Sequence, residues 1–256
     1  MIAIEPKALL IDITRCIGCG ECVGACLEAH DLPGTADDVK GLSDKALTAL
    51  AEKDDLYIRQ LCRHCIDPAC ASVCPVEAFR KLPNGPVVYD ADRCMGCRYC
   101  MQACPFNVPK YEWFSANPRV VKCDFCVHRQ AEGKVTACTE ACPAEATMFG
   151  TREEMLALAH QRLAEDPDAY YPEIYGEHEV GGTSVLFLSP VPFAELGFRT
   201  DLPTGALPHL TGKALAKVPG IVTIGGAFLF GLWWLTHRRE EVALYEAGLA
   251  QEKHDA

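Results

Sequence analysis

Thiolate sulfur is a ligand for soft and borderline transition metals, and this chain of 256 residues carries sixteen cysteines, far above ordinary usage. They fall into four groups of four. Cys16, Cys19, Cys22 and Cys26 are spaced C-x2-C-x2-C-x3-C; Cys94, Cys97, Cys100 and Cys104 repeat that spacing, followed by Pro105. In Cys62, Cys65, Cys70 and Cys74 the middle gap widens to four residues, and Pro75 follows. In Cys123, Cys126, Cys138 and Cys142 it stretches to eleven, and Pro143 follows. Three thiolates on one tight loop suit three irons of a cubane, while a fourth, three residues on, points away toward a neighbouring cluster. Proline after that fourth cysteine turns the chain and removes a backbone donor. Gly18, Gly20 and Gly96 allow the sharp loops inside the runs.

The C-x2-C-x2-C-x3-C-P run is the bacterial ferredoxin signature, and three rival chemistries fit less well. Structural zinc prefers two separated C-x2-C pairs around one ion. A disulfide framework normally lacks such regular short spacing. No C-x-x-C-H occurs, which removes covalent c-type haem. Sixteen cysteines at four ligands each give four [4Fe–4S] clusters with none left over. A cluster whose irons are all thiolate-bound has no open position for substrate, so the pattern favours electron transfer. No P-loop, dinucleotide fingerprint or nucleophile elbow is present, and the chain is expected to be non-catalytic. A net charge of −11 leaves no basic surplus for nucleic acid.

The elements that must position these groups are partly legible. Residues 1–150 read as a four-cluster ferredoxin-like domain. It opens with the apolar run Leu9-Leu10-Ile11 and carries an insertion loop at 31–56, in which a short helix is expected from Ser43, capped by its hydroxyl ahead of Ala46, Leu47 and Leu50. Val87-Val88-Tyr89, after Asn84-Gly85-Pro86, reads as a strand following a turn. Residues 151–217 form an extension. Thr151 and Glu154 make a capping box there, a helix runs to Asp166-Pro167, and a strand is expected over Thr183 to Leu188.

Residues 218–236 are nineteen without a charge, long enough to span about 28 Å against a hydrocarbon layer of about 30 Å. The nine Val, Ile, Leu and Phe residues among them favour insertion by roughly 3–5 kcal/mol, opposed by four glycines and Pro219. Trp233 and Trp234 sit at one end, where indoles favour the headgroup region. A transmembrane helix is expected here rather than a buried core helix, followed by a polar tail at 237–256. Thr223, Ala227 and Gly231 share one face, on which a partner helix could approach closely.

The stretches CIGCGECVGAC, CRHCIDPACASVCP, CMGCRYCMQACPFNVPKY, CTEACPAEATMFGTREEM and VGGTSVLFLS, with the apolar anchor, resemble the four-cluster iron–sulfur (beta) subunits of membrane-bound respiratory oxidoreductases. The eleven-residue gap and the absence of a twin arginine in Met1 to Leu10 resemble the respiratory formate dehydrogenase type; Tyr57-Ile58-Arg59 ahead of Cys62 resembles the ferredoxin-like subunit of the hydrogenase-2 type. Cys26 is followed by Leu27 rather than proline, which the family's first group tolerates. The resemblance implies an α+β fold of two interleaved bacterial-ferredoxin-like modules, with a C-terminal extension and a single transmembrane helix. It implies that Cys62, Cys65, Cys70 and Cys104 hold one cluster and Cys94, Cys97, Cys100 and Cys74 its neighbour. Cys16, Cys19, Cys22 and Cys142 would hold a third, and Cys123, Cys126, Cys138 and Cys26 the fourth.

The implied partners are a catalytic subunit with a molybdopterin or [NiFe] site and an integral membrane quinone-reactive subunit. The implied location is the cytoplasmic (inner) membrane, crossed once, with the globular part on the periplasmic side. With no export signal at the N-terminus, the chain is expected either to cross with a partner or to stay in the cytoplasm. Arg238-Arg239 after the apolar segment agrees with a cytoplasmic C-terminus, diluted by Lys213 and Lys217 before it. A free-standing membrane-anchored polyferredoxin or an iron–sulfur assembly factor is the alternative from a different class. Arg15, Arg63, Arg93, Arg98 and Lys122 adjoin ligand cysteines, where positive charge favours the reduced cluster. His64, inside the second group, is expected to pack in its loop or to donate to a cluster sulfur.

Overall fold

The structure, a computed structural model, describes residues 5–254. The chain forms two units, Met1–Pro208 and His209–Ala256. The elements in order are β1 (Lys7–Asp12), α1 (Glu21–Ala29), β2 (Ala49–Lys53), β3 (Leu56–Gln60), α2 (Ala69–Ser72), β4 (Phe79–Lys81) and β5 (Val87–Tyr89). Next come α3 (Tyr99–Ala103), β6 (Lys110–Tyr111), β7 (Val120–Val121), α4 (Val127–Ala131), α5 (Ala137–Glu140) and β8 (Thr147–Thr151). The chain continues through α6 (Arg152–Glu165), β9 (Val185–Leu188), α7 (Leu207–Leu215) and α8 (Val218–His254). This is a mixed helix-and-sheet fold.

The apolar run at the start of the chain becomes β1, the middle strand of a three-stranded sheet ordered β8-β1-β9. It is antiparallel to β8, with Leu9 opposite Phe149, and parallel to β9, with Leu10 opposite Leu186. Side chains alternate across a strand. Leu9 and Ile11, with Val185 and Phe187, face the cysteine-bearing loops. Ala8 and Leu10, with Leu186 and Leu188, face Met155 and Ala159 of α6. Both faces are covered, which is why β1 reads as a continuous apolar run rather than an alternating one.

Helix α6 starts as its sequence requires. The Thr151 hydroxyl accepts from the Glu154 N–H at 3.2 Å, and the Glu154 carboxylate accepts from the Thr151 N–H at 2.8 Å. From the last turn of α6, Arg162 reaches across to the end of β1 and donates to Asp12, which is fully buried. The same carboxylate accepts from the Tyr170 hydroxyl at 2.9 Å and the Thr14 N–H at 3.1 Å. A buried charge is tolerated because every neighbour is a donor.

The helix expected from Ser43 is not formed. Ser43 bridges Ala46, and its hydroxyl accepts from the Lys45 N–H at 3.2 Å, closing a local turn instead of capping a helix. Leu50 lies in β2, which pairs antiparallel with β3, Leu50 opposite Arg59. Asp54 and Asp55 take φ of 50° and 62°, the left-handed pair of a two-residue hairpin turn. The spacing of Ala46, Leu47 and Leu50 suits a helix, but pairing with β3 overrides it. The expected strands at 87–89 and 183–188 appear as β5 and β9.

In the second unit, residues 218–236 lie within α8, which continues without a break through the polar residues beyond. One helical stretch among the described residues, Leu207–Ala247, is long and apolar enough to cross a membrane. Ile224, Phe228, Leu229 and Phe230 are exposed, on several sides of the helix. The Thr223 and Thr236 hydroxyls donate back to the carbonyls of Pro219 (2.9 Å) and Leu232 (3.0 Å), so neither presents an unpaired polar group.

The Asp12 cluster generates a stability test. Asp12→Ala leaves Arg162 buried without its carboxylate and is expected to cost about 3–5 kcal/mol. Thr151→Ala, which removes only a cap, is expected to cost about 1 kcal/mol. Anaerobic denaturant titration of the two variants measures the difference.

Candidate iron–sulfur centres

Each cysteine group begins with a turn of the same shape. The residue just before the second cysteine is left-handed in all four: Gly18 (φ 73°), His64 (48°), Gly96 (74°) and Phe125 (66°). That conformation folds the loop back on its first sulfur. The N–H groups of Gly96 and Phe125 donate to the sulfurs of Cys94 and Cys123, both at 3.4 Å, and Gly18 does the same for Cys16. A second left-handed residue follows three positions after the last cysteine of three groups: Glu77 (52°), Asn107 (51°) and Glu145 (49°). Past that turn the Ala78 N–H donates to the Cys74 sulfur at 3.2 Å, and Val108 donates to Cys104. Aimed N–H groups of this kind offset negative charge gathered on sulfur.

The loops bring all sixteen cysteines together in four quartets, and all sixteen are free thiols. Cys16, Cys19, Cys22 and Cys142 line one small cavity. Cys26, Cys123, Cys126 and Cys138 line another. Cys62, Cys70 and Cys104 surround Cys65 closely enough for their charges to act on it. Cys94, Cys97 and Cys74 do the same around Cys100. Burial, and after it the charge of neighbouring sulfurs, pushes the thiols of Cys22 and Cys100 up to about 11 and those of Cys70 and Cys126 up to about 12. Sulfurs so placed are poor anions by themselves. A bound metal centre supplies the positive charge that makes them thiolates.

A further sign that the protein atoms alone do not complete these sites lies in the second group. Among the described residues, the buried side-chain nitrogens left without a partner are Nε and Nη1 of Arg63 and Nε2 of His64. His64 packs in its loop, its ring centroid 4.5 Å from that of Phe125, and its Nδ1 accepts from the Val87 N–H at 2.9 Å. The ring is therefore neutral with Nε2 as donor, and burial holds its pKa well below the ordinary range. The Arg63 guanidinium lies over the Phe187 ring, 4.1 Å from its centroid, and burial lowers its pKa to about 10. An all-sulfur donor set, recurring turns, donors aimed at sulfur and these orphan donors all fit an iron–sulfur cluster.

The other basic residues named from sequence separate into two kinds. Lys122 is buried and donates to the carbonyls of Val87 and Cys123. Arg15 turns to Asp12 at 3.7 Å, Arg93 to Asp90 at 3.6 Å, and Arg98 lies over the Trp113 ring, 4.9 Å from its centroid. Those three side chains are exposed.

Two contributors were missed in the sequence. The first is Arg59 of β3, only 3% exposed, which borders both cavities. A charge within a half-buried strand was the available signal. The second is His30, whose Nε2 lies 2.8 Å from Asp124 Oδ1 and whose Nδ1 lies 2.9 Å from the Cys26 carbonyl. Two acceptors require both ring nitrogens to carry protons. Burial opposes the charge, but the hydrogen bonds to Asp124 and Cys26 prevail and raise the pKa to about 10. Asp124 also accepts from the Cys126 N–H at 2.8 Å, so the pair straps the end of α1 to the fourth cysteine loop. Nothing in the local sequence around residue 30 signals a partner 94 positions away.

A family model described as a 4Fe-4S dicluster domain matches residues 54–152, the span holding the second, third and fourth cysteine groups. The chain thus contains a ferredoxin-like 4Fe-4S domain. It is 38% identical over 245 residues to hydrogenase-2 operon protein HybA of Escherichia coli, covering 77% of this chain and 75% of that one. It is 38% identical over 202 residues to the formate dehydrogenase-O iron-sulfur subunit of Escherichia coli, covering 72% and 67%. It is 36% identical over 253 residues to a formate dehydrogenase iron-sulfur subunit of Haemophilus influenzae, covering 85% and 80%. The chain belongs to this family of iron–sulfur electron-transfer subunits.

The recurring turns can be tested in both directions. Gly18→Ala adds a Cβ that meets the Tyr57 ring at 2.4 Å in a left-handed backbone, and is expected to destabilise by about 1–3 kcal/mol. Glu145→Gly removes a Cβ from an exposed left-handed position and is expected to be neutral or to stabilise by up to about 1 kcal/mol. Anaerobic denaturation of the iron-loaded protein reads both.

Proposed function

We propose that the chain is a non-catalytic electron-transfer subunit holding four [4Fe–4S] clusters in two interleaved ferredoxin-like modules. The observation that carries this reading is that every quartet takes three sulfurs from one stretch of chain and its fourth from another. In this reading Cys16, Cys19, Cys22 and Cys142 hold one cluster, and Cys26, Cys123, Cys126 and Cys138 its neighbour. Cys62, Cys65, Cys70 and Cys104 hold a third, and Cys74, Cys94, Cys97 and Cys100 the fourth. The clusters supply one-electron storage at four points. The chain's own residues fix the sulfurs, direct N–H groups at them, and place Arg63 and Lys122 where positive charge favours the reduced state.

The names of the relatives support a catalytic partner of formate dehydrogenase or hydrogenase type, feeding or drawing electrons at one end of the chain of clusters. The apolar stretch of α8 supports a single-pass anchor in the cytoplasmic membrane, beside a quinone-reactive membrane subunit. In this reading the cluster-bearing unit lies on the periplasmic side, with Arg238 and Arg239 after the apolar stretch in keeping with a cytoplasmic C-terminus.

Purification from native membranes through a tag on this chain tests the assignment. At least about sixteen iron atoms per chain are expected (four clusters of four), together with molybdenum or tungsten for a formate dehydrogenase-like complex, or nickel for a hydrogenase. Iron alone would favour a free-standing polyferredoxin. Cys142→Ser is expected to perturb the same electron paramagnetic resonance signal as Cys16→Ser, although the two residues are 126 positions apart. Two different signals would sink the interleaved pairing. For the anchor, Phe228→Asp together with Leu229→Asp adds about 5–7 kcal/mol to insertion and is expected to release the chain from carbonate-washed membranes.

A further inference from the structure

Arg59 occupies an unusual position for a buried cation. It lies on β3 opposite Leu50, and its side chain reaches the space between two cysteine quartets. Its Nε donates to the Thr48 hydroxyl at 2.8 Å, and Nη1 lies 3.4 Å from the Thr147 hydroxyl. Both partners are neutral. Among the described residues no carboxylate forms an ion pair with it. The negative groups that act on it are the sulfurs of Cys138, Cys22 and Cys26, and it also hydrogen-bonds Cys138. Cys22 belongs to one cavity; Cys26 and Cys138 belong to the other.

A lone guanidinium taken out of water is costly unless a nearby negative charge offsets it. Here that charge can only come from the two sulfur-lined sites, and it grows when either accepts an electron. In so poorly screened a place one cation serves both neighbours, since Coulomb attraction falls only with distance and local dielectric. The two threonine hydroxyls hold the guanidinium in place, so the field is built into the fold before any electron arrives.

We propose that Arg59 is a shared tuning residue, raising the reduction potentials of the cluster held by Cys16, Cys19, Cys22 and Cys142 and of the cluster held by Cys26, Cys123, Cys126 and Cys138 together. This rests on the four-cluster reading above. It separates Arg59 from Arg63, whose neighbours are Cys62, Cys65 and Cys104, in a different quartet. The consequence is that these two sites move as a pair: a change at one side chain displaces both and leaves the other two in place.

The test is a redox titration followed by electron paramagnetic resonance, on the complex purified from native membranes with the full chain. Signals are assigned beforehand with Cys16→Ser and Cys138→Ser. In Arg59→Met the two signals of this pair are expected to shift to lower potential, by at least about tenfold in the reduced-to-oxidised ratio at fixed potential, or about 59 mV for one electron. The other two signals stay where they are. Arg59→Lys keeps the charge and is expected to recover most of the shift. Unmoved potentials in a fully iron-loaded Arg59→Met variant overturn the proposal. So does a shift equally deep in the lysine variant, which would assign the effect to packing, or an equal shift of all four signals. Should Arg59→Met lose iron, Arg59→Lys alone decides: both potentials within about threefold of the unaltered ratio support the proposal, and a tenfold fall in either overturns it. Failure of the four-cluster reading shows earlier, as iron well below sixteen atoms in the unaltered chain.

Discussion

The constraint on which the rest of this structure depends is the burial of sulfurs gathered close enough to repel one another as anions. Sixteen thiols are brought into four groups; at Cys16, Cys22, Cys65, Cys70, Cys100, Cys104, Cys123 and Cys126 burial opposes ionisation, and the charge of neighbouring sulfurs opposes it further. A fold that accepts this must obtain compensation from metal binding and from donors the chain supplies. The recurrent left-handed turns are the cheapest supply, because they direct backbone N–H groups at sulfur without adding a side chain. Arg59, Arg63 and Lys122 add full charges where the turns do not suffice. The same need explains why buried donors on Arg63 and His64 lack partners within the protein.

The sheet β8-β1-β9 is the mechanical counterpart of this electrostatics. One face of β1 closes over the sulfur-bearing loops and the other receives α6. Asp12 ties the end of that strand to Arg162 and Tyr170, so the extension after residue 150 is bonded into the unit that holds the cysteines. The loops themselves are short and poor in regular structure. Their rigidity comes from what lies behind them.

Much of this was legible because the chemistry is local. Cysteine spacing exposes the four groups, Thr151 and Glu154 announce α6, and Asn84-Gly85-Pro86 announces β5. What escaped is set by partners distant in sequence. The Ser43 segment carries helix-like spacing, and only pairing with β3 turns its second half into a strand. Arg59 reads as one charge among many until the fold places it between two cavities. His30 shows no ligand spacing, and its role depends on Asp124 arriving from another loop. Conversely, Arg15, Arg93 and Arg98 adjoin cysteines in sequence yet turn to Asp12, Asp90 and Trp113, since adjacency along the chain does not fix direction in space.

The gathering of Cys16, Cys19 and Cys22 with Cys142 has a consequence in time. The first of these sulfurs leaves the ribosome 126 residues before the last. At about 5–20 residues per second that interval is roughly 6–25 s. β1 waits longer still, since its parallel neighbour β9 begins at Val185. During synthesis the N-terminal loop therefore exists as an open three-sulfur claw without its sheet. The cell must either keep that claw reduced and empty until the chain is nearly finished, or deliver iron and sulfide to it while the fourth sulfur is still missing. Assembly order, as much as ligand identity, is written into where the cysteines fall.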